Sequence, residues 1–141
     1  MAREISTHST EETMRFGEEL GRGASSGDVF ALCGELGSGK TVLAKGVARG
    51  LGVGEEITSP SFTLLEIYQG RLPLYHFDLY RIERDSEFDQ LGFEEYWEGT
   101  GVSVIEWADR AGERLPAGTV RIRLEYAGGT GRRIVIEDPR D

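Results

Sequence analysis

A single cysteine, Cys33, excludes any internal disulfide framework, and that scarcity suits a reducing compartment. Lysine is almost missing too. Lys40 and Lys45 are the only two among 16 cationic residues, so the other 14 are arginines. No apolar run approaches the roughly 20 residues of a membrane span, and no basic-then-apolar leader follows Met1. A soluble, cytoplasmic chain without membrane contact is therefore expected. With only two histidines and one cysteine, no cluster has zinc spacing. Positive charge is in deficit: 25 acids outnumber the cations and leave a net charge of −9. Such a chain is a poor autonomous binder of nucleic acid, because phosphate contacts need clustered cations, and no DNA partner is expected. At 141 residues one domain spanning 1–141 is expected, long enough to bury a real core.

Glycine, by contrast, is abundant, and its placement carries the first positive signal. Gly34-Glu35-Leu36-Gly37-Ser38-Gly39-Lys40-Thr41 fits the pattern G-x-x-x-x-G-K-[ST] in full. Glycines let the backbone turn tightly and aim successive N–H groups at phosphate oxygens. Lys40 supplies a compact charge for the outer phosphates, and the Thr41 hydroxyl can complete a Mg²⁺ shell. In a chain whose habitual cation is arginine, a lysine here fits a site that needs a point charge rather than a planar fork. The context agrees. Asp28 to Cys33 is an apolar-rich run of strand length before the loop, and Cys33 reads as a small core residue at its end. Thr41 to Leu51 places apolar residues at 43, 44, 47, 48 and 51, which is helical spacing. Strand, glycine loop and helix predict a P-loop that binds a nucleoside triphosphate with Mg²⁺, and the lack of a guanine-reading Asn-Lys-x-Asp motif favours ATP over GTP. The helix adds its positive dipole end at the same spot.

The rest of the chain reads as follows. Thr10 to Ala24 is predicted helical, capped by Ser9 or Thr10, with Met14, Phe16, Leu20 and Ala24 as its apolar side. A loop runs from Gly52 to Pro60. Strands at Phe62 to Tyr68 and Leu72 to Tyr80 are joined by Gln69-Gly70-Arg71, which implies an antiparallel hairpin. Asp85 to Tyr96 is helical or loop-helix, Gly101 to Ile105 a buried strand, and Ala108 to Leu115 helical. Two last strands, Thr119 to Tyr126 and Arg132 to Glu137, flank a turn at Gly128 to Gly131. The predicted class is α/β: a P-loop NTPase-like mixed sheet flanked by helices, with antiparallel additions.

A triphosphate site also needs carboxylates at strand ends. Val102-Ser103-Val104-Ile105-Glu106 is an apolar strand ending in an acid, the Walker-B form, and Trp107 beside it would report nucleotide binding by fluorescence. Asp78 is the second candidate. With a period of two, His76, Asp78 and Tyr80 share one strand face, opposite Phe77 and Leu79. That face is costly to bury unless it binds something, and a solvent-facing edge strand would explain it equally well. His76 by itself reads as a hydrogen-bonding partner rather than a metal ligand. Arg121 and Arg123 share a strand face, with Arg132 and Arg133 after the turn; spacing does not choose between a solvated hairpin and a nucleotide contact.

Three strings together make a resemblance. The phosphate loop, Ser59-Pro60-Ser61-Phe62-Thr63-Leu64 and His76-Phe77-Asp78-Leu79-Tyr80-Arg81, followed by Leu91-Gly92-Phe93, Ile105-Glu106-Trp107 and Leu115-Pro116, resemble the TsaE (YjeE) family. These are small bacterial P-loop ATPases required for threonylcarbamoyladenosine formation on tRNA. The likeness runs from about Glu12 to Glu137. It implies that Leu36, Gly37, Ser38, Gly39, Lys40 and Thr41 hold the phosphates and that Thr41 and Glu106 hold Mg²⁺. It also implies that Asp78 works beside Lys40 and Glu106 near the γ-phosphate, and that Ser59 to Thr63 is a switch-type loop. By the same likeness Arg132 contacts the nucleotide, and Thr10 falls where the N-terminal segment approaches the base. The implied partner is a TsaD–TsaB-type protein pair, with tRNA reached only through it. Glu35, Ser61 and Val42 depart from the family's usual Asp, Thr and Thr, and Val42 removes a hydroxyl beside the metal position. A small-molecule P-loop kinase and a non-hydrolytic nucleotide switch are the two rival readings of the same loop.

Overall fold

The computed structural model describes residues 2–35, 37–58 and 64–139. Leu36 of the loop and the expected switch segment Ser59 to Thr63 lie outside the described residues. The described chain forms one seven-stranded mixed sheet flanked by helices. Its strands are β1 (Ala2–Thr7), β2 (Val29–Cys33), β3 (Leu65–Gln69), β4 (Pro73–Asp78), β5 (Val102–Glu106), β6 (Val120–Tyr126) and β7 (Arg132–Glu137), in the order β1-β7-β6-β2-β5-β4-β3. β6, β2, β5 and β4 are mutually parallel, and β1, β7 and β3 add antiparallel strands at the two sides.

The parallel centre explains the apolar runs. A strand covered on both faces cannot alternate polar and apolar residues, and every residue of β5 is buried. On one face Phe16, Leu43 and Val47 from helices α1 (Thr10–Arg22) and α2 (Lys40–Gly50), with Leu51 just past the end of α2, cover Phe30, Leu32, Val104 and Ile122. On the other face Phe77, Ile105 and Ala31 meet Phe93, Trp97 and Leu115, with Phe77 and Phe93 edge to face at 4.8 Å.

Helix α1 begins as predicted, with the Ser9 hydroxyl accepting from the Glu12 N–H at 3.1 Å. Its buried face differs from the expected one. Thr13, Phe16, Gly17 and Gly21 are buried, whereas Met14 and Leu20 are only partly covered and Ala24 lies past the helix end. The reason is a backbone-to-backbone crossing with α2. A methyl on Gly46 would run into the Met14 carbonyl oxygen, and one on Gly50 into that of Glu18. The glycines of both helices are the interface, and apolar periodicity does not count them.

Other boundaries shift for local reasons. β1 was not expected, because its sequence is polar and mostly exposed; it is held by the ladder to β7 and by Glu4 against Arg133 at 2.6 Å. Asp85 to Tyr96 is split at Gly92 into α3 (Asp85–Leu91) and α4 (Glu94–Trp97). Ala108–Arg114 is 3₁₀ and kinks at Gly112. The β3–β4 hairpin is present, and its tip caps both long helices. The Arg71 N–H donates to the Leu51 carbonyl at 2.6 Å, and its guanidinium donates to the carbonyls of Gly21 at 3.0 Å and Ala24 at 3.1 Å.

Candidate functional site

Ligands of open α/β sheets sit beyond the carboxyl ends of the parallel strands. Register brings three strand ends level here: Glu106 on β5 pairs with Leu32 on β2 and with Asp78 on β4. The loop after β2 then turns into α2. Gly37 and Gly39 take φ of 79° and 106°, left-handed values that an L side chain adopts only with strain. Leu43 N–H bonds the Gly39 carbonyl at 2.9 Å, which starts the helix directly under the loop.

A cleft of about 360 Å³ opens at this spot. It is lined by Gly37, Gly39, Lys40 and Thr41 from the loop and helix, Asp78 from β4, and Glu106 from β5. Val42, Tyr80, Arg81 and Trp107 complete its wall. The three predicted catalytic residues, Lys40, Asp78 and Glu106, are thus brought together from positions 66 residues apart in the chain. All three are buried polar groups, at 4%, 7% and 2% exposure.

Each side chain is held. The Lys40 ammonium donates to the carbonyls of Gly34 at 2.7 Å and Glu35 at 2.9 Å, and lies 4.0 Å from the centre of the Trp107 ring. Burial pushes its pKa below the usual 10.5, against the opposing pull of Glu106, Asp78 and Asp109. The Thr41 hydroxyl donates to Glu106 Oε1 at 2.8 Å. His76 Nε2 meets the other carboxylate oxygen, Oε2, at 2.6 Å. Asp78 Oδ1 accepts from the Tyr80 N–H at 3.0 Å, and the Tyr80 ring packs on Trp107 with centroids 4.9 Å apart. Trp107 has φ 57°, a conformation rare outside glycine, which turns its indole over Lys40.

One expectation needs correction. The shared face of His76, Asp78 and Tyr80 does not continue past Asp78, because β4 ends there; Tyr80 is half exposed, while His76 and Asp78 are buried in an interior strand. A solvent-facing edge strand is therefore ruled out. Arg132 and Thr10 stand outside the main cleft, in a small recess of about 20 Å³ with Thr13, Thr130, Gly39 and Val42. The Arg132 guanidinium braces the loop, donating to the carbonyls of Ser38 at 2.7 Å, Gly37 at 3.2 Å and Gly131 at 2.7 Å. Ser38 is fully buried with its hydroxyl 3.5 Å from the Lys40 ammonium. Arg121 and Arg123 are exposed on β6, and Cys33 is only partly covered rather than deep in the core. Val42 stands at the cleft beside Thr41, and Tyr80 and Arg81 reach its wall just past the end of β4. Arg81 was not singled out as a cleft residue, because only the strand register brings the end of β4 level with β5 and β2.

Among the described residues no group of three or more His, Cys, Asp and Glu side chains could hold a metal by itself. The hydroxyl of Thr41 and the carboxylate of Glu106 are hard oxygen donors, which suits a small divalent cation completed by phosphate oxygens and water. Among the same residues no helix is long and apolar enough to cross a membrane.

Comparison with known proteins agrees on one family. The family model described as threonylcarbamoyl adenosine biosynthesis protein TsaE matches residues 7–134. The tRNA threonylcarbamoyladenosine biosynthesis protein TsaE of Treponema pallidum is 46% identical over 130 residues, covering 92% of this chain and 96% of that protein. The protein of the same name from Bacillus subtilis is 43% identical over 131 residues, covering 92% and 82%. The crystal structure of Bacillus subtilis YdiB superposes with a TM-score of 0.82 at 38% identity, covering 98% of this chain and 86% of that one. With a family match across nearly its whole length, relatives above 40% identity and the same fold in a solved structure, this chain belongs to the TsaE family.

Proposed function

We propose that this protein is a slow, Mg²⁺-dependent ATPase that supports threonylcarbamoyladenosine formation on tRNA by acting on a TsaD–TsaB-type protein pair. The observation that carries the ATPase reading is the meeting of Lys40, Thr41, Asp78 and Glu106 in one cleft above a glycine loop and a helix N-terminus. The tRNA reading rests on the names of the relatives.

The chemistry follows from the donor set. Loop N–H groups and the head of α2 cradle the phosphates, and the Lys40 ammonium neutralises the outer ones. Mg²⁺ would rest on Thr41 and Glu106, where it supplies charge stabilisation to the phosphate oxygens. Asp78 orients the attacking water from the adjacent strand end. Phosphoryl transfer is mostly positioning plus charge stabilisation, so this set suffices for slow turnover, and faster turnover calls for groups contributed by the partner. The net charge of −9 fits a protein that docks on protein and leaves tRNA to others.

The test is Mg²⁺-dependent ATP hydrolysis by the chain alone, then with the TsaD–TsaB pair and tRNA. Slow turnover that rises in the mixture is the expected result. A rate indifferent to the mixture would sink the coupling, and phosphate transfer to an added small acceptor would establish a kinase instead.

A further inference from the structure

The acid at the end of β5 is gripped from two sides. Thr41 donates to Oε1 and His76 Nε2 approaches Oε2, so each carboxylate oxygen has its own partner. His76 has no solvent exposure, and it sits on β4 opposite Val104, two residues below the strand end, directly beneath the acid. Its surroundings are the apolar core between the sheet and α2, where Leu74 and Val104 are also fully buried. Its second nitrogen, Nδ1, is buried with no hydrogen-bond partner among the described residues.

That is an expensive arrangement. A buried imidazole with one nitrogen unmet loses hydration it does not recover, and an aliphatic residue would fill the same space without that cost. The carboxylate offers only acceptor oxygens when ionised, so the proton of the 2.6 Å contact belongs to Nε2. Among the described residues, what the histidine delivers at this position is a fixed direction for the Glu106 carboxylate.

We propose that His76 is a positioning residue, which locks Glu106 by Oε2 so that Oε1 alone faces the Thr41 hydroxyl and the cleft. The role rests on the ATPase reading above and deepens it: a side chain that fixes the rotamer of a cation-binding carboxylate raises cation affinity without touching the ligand. Unlocked, Glu106 can rotate away from Thr41 and the two donors no longer act together.

The experiment compares His76→Leu, which removes the donor, with His76→Gln, whose amide N–H reaches about as far as Nε2. Binding of a non-hydrolysable ATP analogue is titrated against Mg²⁺ by calorimetry, alongside melting without nucleotide or metal. Nitrogen-15 NMR of the parent locates the ring proton. The expected result is a proton on Nε2 and a roughly tenfold or greater rise in the Mg²⁺ needed for half-saturation in His76→Leu. His76→Gln should restore most of that loss, whatever the two melting temperatures. An unchanged Mg²⁺ requirement in His76→Leu overturns the proposal. So does a proton on Nδ1 alone, or a His76→Gln chain as defective as His76→Leu. If His76→Leu does not fold, His76→Gln and the ring spectrum still decide. A parent that binds no ATP analogue defeats the ATPase reading instead, and the NMR result then stands by itself.

Discussion

Lys40 and Glu106 on one hand and Cys33 on the other show two different uses of burial. The first two are charged groups kept under 5% exposure because each has specific partners, the loop carbonyls for Lys40 and Thr41 with His76 for Glu106. Removing them separates binding from turnover. Lys40→Ala should lose nucleotide binding altogether, while Glu106→Gln should retain ATP and stop hydrolysis, as read by calorimetry and phosphate release. Full activity in cells from Glu106→Gln would favour a nucleotide switch over an ATPase. Cys33 is a neutral, partly covered thiol. Burial, with Asp109 nearby, raises its thiol pKa above the usual 9.0. A raised pKa keeps the thiol protonated through neutral and mildly alkaline pH, so little thiolate forms. Its reaction with a disulfide reagent at about pH 8 should be several-fold slower in the native chain than in the denatured one. Equal rates would contradict the burial argument.

At the scale of elements, the α1–α2 crossing is the most brittle feature. The two helices touch through Gly17, Gly21, Gly46 and Gly50, and the neighbours of an added methyl are main-chain atoms that cannot rotate aside. Overpacking of this kind costs about 1–3 kcal/mol, and unyielding main-chain neighbours put it toward the upper end. Gly46→Ala is expected to lower stability by that amount in denaturant melts, although alanine is by propensity the better helix former. A neutral Gly46→Ala would mean the helices separate freely. The consequence reaches the site, since α2 carries Lys40 and Thr41 at its head, and a displaced α2 should weaken nucleotide binding along with stability. The Ser9 cap, legible in the sequence, and the Arg71 contacts, which exist only once the hairpin tip meets the helices, hold the ends of the same pair.

Across the whole molecule, charge and topology divide the labour. A net charge of −9 opposes contact with a polyanion. The isolated chain is expected to retain no tRNA at about 0.15 M salt in a filter-binding assay, and retention should appear only when the partner pair is added. Retention by the chain alone would place tRNA contacts on this protein. Topology sets the cleft at the carboxyl edge of the parallel strands, with the antiparallel strands β7 and β1 on one side and β3 on the other. The β6–β7 hairpin is more than an addition, since Arg132 reaches from it to hold the glycine loop between β2 and α2.

While it left Asp78 open between a binding face and a solvent-facing edge, the sequence by itself determined the α/β class, the loop from Gly34 to Thr41 and the acid Glu106 at a strand end. Each is a local signal: a spacing of glycines, an apolar run of strand length, a carboxylate at its end. It placed β2, α2, β5 and the two hairpins within a few residues for the same reason. What only the tertiary structure decided depends on neighbours remote in the chain. Strand β1 exists because β7 offers it a ladder, and α1 buries glycines because α2 approaches at backbone distance. His76 meets Glu106 because β4 and β5 run parallel in one register, and Arg132 braces the loop because β6 lies beside β2. Periodicity reports how a residue faces its own element. Which other element stands opposite is fixed by packing, and the partners of His76, Arg132 and Gly46 were chosen at that level.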